Sequence, residues 1–239
     1  MFALFLLALY YSQIRRGVQV RVLERILSFI SPVECSQCGR PNQSVCDECW
    51  QKLVPVRTPA CFWCNTLTNE GKTCPSCARK THITGVTIPF RLNGVVKDKV
   101  HGLKYGGDRE VAKFFAGKLC EYIPQDTFDT ICYVPSTGRS QRKRGYNQAK
   151  LLAKEISRTM RLPLEPALLR LTHTDQIGLN RAQRLSGVKG NFIARGNYTG
   201  KRILLVDDVV TTGATLNECA YTLKVAGASK VWAVAIAKK

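Results

Sequence analysis

Acidic residues are scarce in this chain: seventeen Asp and Glu stand against thirty-six Lys and Arg in 239 residues, a net charge of +19 with histidine neutral. A deficit that large favours a polyanionic partner such as nucleic acid, nucleotides or an anionic membrane face. A long apolar run is also missing. A membrane-crossing helix needs about twenty consecutive apolar residues, and the longest stretch at the N-terminus, FALFLLALYY at residues 2–11, is too short. That stretch has neither the basic region before it nor the small-residue cleavage site after it that a secretory signal needs. It reads either as an interfacial anchor, which would hold the protein at the inner face of the membrane, or as sequence upstream of the true start. The second reading is favoured. With 45% apolar residues the chain is otherwise composed like a globular protein, which argues against disorder.

Cysteine, in contrast, is abundant. Eight of eleven fall into four Cys-x-x-Cys pairs, while Cys120, Cys132 and Cys219 stand alone in apolar segments. Tight pairs clustered in one part of a chain are unlike a disulfide framework and read as metal ligands in a reducing compartment, the cytoplasm. Cys35, Cys38, Cys46 and Cys49 can surround one tetrahedral Zn²⁺, and Cys61, Cys64, Cys74 and Cys77 a second. Two sequential sites are the first expectation and an interleaved cross-brace the alternative. Four thiolates leave no open position for water, so the zinc is structural. A module of this size with few large apolar side chains relies on the metal for its stability. His82 lies five residues beyond Cys77 but is expected to be a surface or packing residue, since eight cysteines already complete two sites; His101 and His173 have no partner visible in sequence.

Composition divides the chain into an apolar and basic leader (1–31), a zinc module (32–80) and a region of alternating strand and helix patterns (81–239). Within the leader, Val18 to Ile30 reads as a short amphipathic helix. In the last region Gly85–Leu92 and Val95–Val100 flank Asn93-Gly94, a turn dipeptide that suggests a hairpin. The periodicity predicts helices over Arg109–Ile123, Asn147–Met160 and Thr215–Ala226, and strands over Thr130–Val134, Ile203–Val206 and Val231–Ala237. Apolar runs separated by amphipathic helices imply an α/β fold, a parallel sheet with helices on both faces.

One stretch carries the most chemistry. Ile203–Val206 is an apolar strand that delivers Asp207 and Asp208 to the carboxyl edge of the sheet, where open α/β sheets bind ligands. Carboxylates there can accept hydrogen bonds from ribose hydroxyls or hold a hydrated Mg²⁺. Thr211, Thr212, Gly213, Ala214 and Thr215 follow as a short loop running into a helix. Gly213 permits close approach of the backbone, and the threonine hydroxyls with the helix-start amides can cradle a phosphate. An acid pair or a Thr-Thr-Gly turn alone would more often be a capped helix start; the combination in one run is what makes the signal specific.

ILLVDDVVTTGATL at 203–216 resembles the phosphoribosyl-pyrophosphate loop of type I phosphoribosyltransferases. RGYNQAKLLA at 144–153, QIGLNRAQR at 176–184 and LKYGGDREVAKFFAGKL at 103–119 are similar to the ComF family of competence-associated proteins. That family pairs an N-terminal zinc module, a double zinc ribbon, with a phosphoribosyltransferase-like domain, and the resemblance covers about residues 32–239. It implies binding of phosphoribosyl pyrophosphate with Mg²⁺, a pyrophosphate loop at Pro135, Ser136, Thr137, Gly138 and Arg139, and a role in natural transformation alongside other DNA-uptake proteins. The alternative it implies is an active transferase, in which a base nitrogen displaces pyrophosphate from the ribose C1. Such chemistry needs cations and N–H donors for the departing oxygens rather than a protein nucleophile. No catalytic residue and no residue that would recognise a particular base is visible.

From Gly138 to Arg202 there are fifteen Lys and Arg and three acids. Arg142, Lys143, Arg144 and Tyr146 form a loop suited to a nucleic-acid backbone, with a ring for base stacking. Trp50, Phe62 and Trp63 at the zinc knuckles offer further rings, either for stacking or for shielding the metal. A sugar-phosphate site does not need a whole chain at +19, and the surplus favours single-stranded DNA or RNA.

Overall fold

Apolar runs in the C-terminal two-thirds form strands, and segments whose apolar residues recur every three to four positions form helices. The computed structural model describes residues 34–35, 38–41, 46, 48–49, 60–106, 109–124, 128–171 and 191–239, with the side chains of Arg139 and Lys143 outside that description. The chain divides into two compact units, Met1–Leu53 and Val54–Lys239. The leader with its expected helix, Trp50, His173 and the stretch 176–184 lie outside the described residues.

In the larger unit the strands are Gly85–Thr87 (β1), Phe90–Arg91 (β2), Thr130–Tyr133 (β3), Leu168–Arg170 (β4), Phe192–Ala194 (β5), Arg202–Val206 (β6), Val209–Val210 (β7), Lys230–Val234 (β8) and Ala237–Lys238 (β9). The helices are Pro75–Ala78 (α1), Gly94–Tyr105 (α2), Arg109–Cys120 (α3), Gly138–Arg144 (α4), Gln148–Met160 (α5) and Ala214–Val225 (α6). The main sheet runs β1-β8-β6-β3, parallel throughout, with Cys132 opposite Leu205 and Leu205 opposite Ala233. Three of its strands resume after a two-residue break as a parallel trio in the matching order β2-β9-β7. The break falls at Ile88-Pro89, Asp207-Asp208 and Ala235-Ile236. The backbone stays bonded across it, through Asp207 N to Val234 O (2.9 Å) and Ile236 N to Asp208 O (3.0 Å). The strand expected over Val231–Ala237 is therefore two strands with this step between them. A separate antiparallel pair, β4 with β5, completes the sheets.

Side chains alternate across a strand, so each face of β6 takes every second residue. Ile203 and Leu205 join Leu216, Cys219, Ala220 and Leu223 of α6 in one buried cluster. Leu204 and Val206, also fully buried, face the side on which α5 packs against β3 and β6, with α3 against α5. Helices thus cover both faces, as the sequence pattern implies. The neighbour of β6 on one side (β3) precedes it in sequence and the neighbour on the other (β8) follows it. Connections leaving in opposite directions open a crevice at the carboxyl end of such a strand.

One element departs from expectation. Val95–Val100 is not the second strand of a hairpin: it lies inside α2. Asn93 is extended (φ −140°, ψ 167°) and sits at the N-cap, where Asn is as much at home as in a turn. Val95, Val96, Val100 and Leu103 are buried on one side of the helix, while Lys97, Asp98 and His101 are exposed. That spacing is helical, and burial of the apolar stripe overrides the local turn preference of Asn-Gly.

Candidate functional site

At the end of β6 the backbone amides orient both carboxylates. Asp208 N donates to Asp207 Oδ1 (2.8 Å) and Val209 N to Asp208 Oδ1 (2.9 Å). The other Asp208 oxygen, Oδ2, pairs with Lys104 Nζ at 3.3 Å, bringing the end of α2 to the strand. Burial pushes the Asp207 carboxyl well above the usual carboxylate range, and the adjacent Asp208 charge adds to it; the Asp208 amide and the Lys104 cation oppose the shift. Part of Asp207 still opens onto a cleft of about 220 Å³. Lys104, Arg144 and Arg170 supply cations to that cleft, Asp207 and Asp208 its acids, and Ser136, Thr137, Ser140 and Thr215 its hydroxyls. A wider and more open depression of about 590 Å³ on Leu67–Lys72 contains none of these groups.

Two helix starts border the cleft. Thr137 caps α4, its Oγ1 accepting from Ser140 N at 3.1 Å and lying 2.8 Å from Ser140 Oγ. Beside it the Ser136 Oγ is buried and, among the described residues, meets no hydrogen-bond partner. Gly213 (φ 79°) is the N-cap of α6 and offers no side chain to its amides, while Thr212 Oγ1 accepts from Ala214 N at 3.3 Å. Thr211, Thr212, Ala214 and Thr215 are exposed and Gly213 is buried. A loop with exposed hydroxyls at an uncapped helix start has the chemistry of a phosphate cradle. Asn147 and Gln148 tie the cleft together, Asn147 Nδ2 donating to Val134 O (3.0 Å) and Gln148 Nε2 to Lys104 O (3.3 Å).

The cysteines form two quartets, sequential rather than interleaved. The sulfurs of Cys35, Cys38, Cys46 and Cys49 lie within 4.8 Å of one another, as do those of Cys61, Cys64, Cys74 and Cys77. Four thiolates about 2.3 Å from one Zn²⁺ would stand roughly 3.8 Å apart, so both quartets fit a structural zinc with all four positions filled by sulfur. Each opens with the same tight turn. Gly39 N donates to Cys35 O and Asn65 N to Cys61 O, both at 2.8 Å, with Gly39 (φ 71°) and Asn65 (φ 59°) left-handed. His82 is not part of either quartet; its exposed ring lies 4.8 Å from that of Tyr221.

Residues 26–82 match the family model described as double zinc ribbon domain, and residues 146–239 that described as phosphoribosyl transferase domain. The chain is 26% identical over 194 residues to Competence protein ComFC of Bacillus subtilis, covering 77% of this chain and 79% of that protein. It is 38% identical over 114 residues to Competence protein F of Haemophilus influenzae, covering 45% of this chain and 50% of that protein, so the match spans half of that relative's length. The chain is thus similar to these competence proteins, with a double zinc ribbon domain ahead of a phosphoribosyl transferase domain. Among solved structures, glutamine phosphoribosylpyrophosphate amidotransferase from B. subtilis is similar at 22% identity and a TM-score of 0.41, over 56% of this chain and 30% of that one. The two matched domains and the parallel order of the main sheet together define an α/β phosphoribosyltransferase-type fold preceded by a double zinc ribbon.

The structure places the expected site residues in different surroundings. Asp207, Asp208 and Thr215 line the cleft with Pro135, Ser136 and Thr137, which are some seventy residues away in sequence. Gly138 begins α4, and Arg142 beyond it is exposed. Arg144 belongs to the cleft instead: it is half-buried, donates to Gln148 Oε1 at 3.2 Å and lies over the Tyr105 ring at 5.3 Å. Tyr146 is half-buried with its hydroxyl donating to Leu103 O at 2.8 Å. Lys104, Arg170, Asn147 and Gln148 were not anticipated as site residues. Lys104 lies within the family-like stretch 103–119, the one sequence signal that could have pointed to it. Among the described residues no helix is long and apolar enough to cross a membrane.

Proposed function

We propose that the cleft at the end of β6 binds phosphoribosyl pyrophosphate or a related sugar phosphate with Mg²⁺, and that the protein handles single-stranded DNA during DNA uptake. The sugar-phosphate reading rests on one observation: twin carboxylates, an uncapped helix start and three cations converge on a single cleft. Asp207 and Asp208 are held by backbone amides in an orientation suited to ribose hydroxyls or a hydrated Mg²⁺, which characteristically combines one or two carboxylates with substrate phosphates. The Thr211–Thr215 loop takes the 5′-phosphate, and Ser136, Thr137, Lys104, Arg144 and Arg170 face the pyrophosphate. The DNA part is supported by the net charge of +19 and by relatives named competence proteins. Arg142, with Lys143 beside it in sequence, is the basic surface proposed for the strand, and Arg144 serves the cleft.

Titration calorimetry of the zinc-loaded full chain with phosphoribosyl pyrophosphate and Mg²⁺ tests the first part. Binding is expected, and Asp207→Ala with Asp208→Ala abolishes it without changing zinc content; absence of any ribose 5-phosphate binding by the intact protein sinks the reading. For DNA, replacing Arg142 and Lys143 by Ala flattens the dependence of affinity on salt, by about 0.7 in logarithmic slope for each lost single-strand phosphate contact. A second reading, an active transferase, is favoured by the partnerless buried Ser136 hydroxyl beside the Thr137–Ser140 pair, a donor-rich wall for departing pyrophosphate oxygens. Pyrophosphate release with a panel of bases, with and without single-stranded DNA, separates the two.

A further inference from the structure

The phosphate loop has a back wall as well as a mouth, and the back wall belongs to the second zinc ribbon. A Cβ placed on Gly213 would stand 2.6 Å from Phe62 Cε1, 2.9 Å from Trp63 Cη2 and 3.1 Å from Trp63 Cζ3, closer than packed carbon atoms approach. Phe62 and Trp63 are the two residues between Cys61 and Cys64, so the knuckle that presents two sulfurs inward also presents two rings to the loop. The rings meet edge to face at 5.0 Å, both pack on the buried cluster that includes Leu216, and Lys238 Nζ lies 4.5 Å from the Phe62 centroid. The same ribbon holds the next turn of α6 as well. Asn217 Oδ1 accepts from Thr81 Oγ1 (2.7 Å) and from His82 N (2.9 Å). Its far side is fastened to the sheet edge, with Lys72 bridged to Gly85 and Thr73 N donating to Thr84 O at 2.9 Å.

We infer that the second zinc ribbon is a positioning element of the sugar-phosphate site: Phe62 and Trp63, held by the Cys61–Cys77 quartet, fix the Thr211–Thr215 loop in its binding conformation. The inference rests on the cleft being a sugar-phosphate site. Gly213 adopts a left-handed φ of 79° at the loop's apex, a conformation glycine accepts but does not prefer over others. Within the loop, Thr212 Oγ1 accepts from Ala214 N and Gly213 O from Asn217 N at 2.9 Å, and the ring pair closes the side that these bonds leave open. A loop preset in this way loses less freedom when a phosphate docks, which raises affinity. Trp63 acts through its ring carbons, since its indole N–H is buried and, among the described residues, meets no acceptor.

The test uses the full chain, with both zinc sites filled in the parent and in the Trp63 variants. Trp63→Ala is expected to weaken calorimetric affinity for phosphoribosyl pyrophosphate with Mg²⁺ by tenfold or more at unchanged zinc content, and Trp63→Phe to stay within threefold of the parent because the ring is retained. Loss of the second quartet through Cys64→Ser weakens binding at least tenfold more than loss of the first through Cys38→Ser. In the absence of ligand, amide hydrogen exchange at 213–216 is expected to accelerate in Trp63→Ala. Parent-like affinity and parent-like exchange in Trp63→Ala overturn the inference and leave the sugar-phosphate reading standing. If the intact chain binds no sugar phosphate, that reading falls, and the exchange measurement alone decides whether the ribbon holds the loop.

Discussion

The two cysteine quartets share one local design and have different surroundings. Both begin with a Cys-x-x-Cys turn closed by a 2.8 Å backbone hydrogen bond and a left-handed residue, and both bring four sulfurs together. Around the first, the described residues add an exposed ion pair, with Arg40 Nη1 and Nη2 donating to the two Glu48 oxygens at 2.7 and 2.9 Å. The second is built into the unit that holds the sheet, through Phe62 and Trp63 on Gly213, Thr81 and His82 on Asn217, and the Lys72–Gly85 bridge. A zinc knuckle is thus a module only in its sulfurs. What it stabilises depends on the residues between the cysteines: Ser36 and Gln37 in the first knuckle, Phe62 and Trp63 in the second.

The contrast makes its largest claim about metal loss. Zinc supplies much of the folding free energy of so small a ribbon. Without it the Phe62–Trp63 wedge and the bonds to Asn217 lose their support. Cys74→Ser is expected to destabilise the phosphoribosyltransferase-type unit by roughly 2–4 kcal/mol, a fall in midpoint of roughly 5–15 °C for a unit of this size. Cys46→Ser should leave the main transition in place. Differential scanning calorimetry checks both, and equal falls in the two variants would erase the distinction drawn between the quartets.

A steric test sharpens the same comparison at the contact itself. Gly213→Ala asks a side chain to enter space occupied by two rings and to adopt φ near +79°. The expected cost in urea denaturation is about 1–3 kcal/mol. The two causes separate in a double-mutant cycle with Phe62→Ala. Relief of the clash should return part of the cost, with a coupling on the order of 1 kcal/mol. Strict additivity would assign the whole effect to the backbone and remove the ring contact from the argument.

Much of this site was legible in the sequence because its parts are contiguous. Ile203–Val206, Asp207, Asp208 and the Thr211–Thr215 loop succeed one another along a strand, its edge and a helix start, so local pattern and tertiary position coincide. The eight cysteines were legible for the same reason. Lys104 and Arg170 were not, because they come from α2 and β4, and only tertiary packing brings those elements to one cleft. The Asn93-Gly94 turn failed differently: a dipeptide suited to a hairpin lost to the buried stripe of Val95, Val96, Val100 and Leu103. Phe62 and Trp63 stood out as knuckle aromatics, yet sequence offered only metal shielding or base stacking for them. Their contact with a glycine some 150 residues away has no local signal.

The smallest effect concerns the clasp on α6, and it decides whether the ribbon acts through its rings or through the segment that leaves it. Asn217 Oδ1 accepts two hydrogen bonds from the chain leaving the second quartet, at 2.7 Å from Thr81 Oγ1 and 2.9 Å from His82 N. The site is half-buried, so water can partly replace what is lost, and Asn217→Ala is expected to cost about 1 kcal/mol. Asn217→Asp keeps both acceptor functions and should recover most of that in chemical denaturation. If the rings set the loop, sugar-phosphate affinity in Asn217→Ala falls by no more than a few fold, well short of the loss in Trp63→Ala. A loss as large as that of Trp63→Ala would transfer the positioning role from the aromatic wedge to the Thr81–His82 segment, because the first turn of α6, rather than the apex at Gly213, would then be the point that the ribbon must hold.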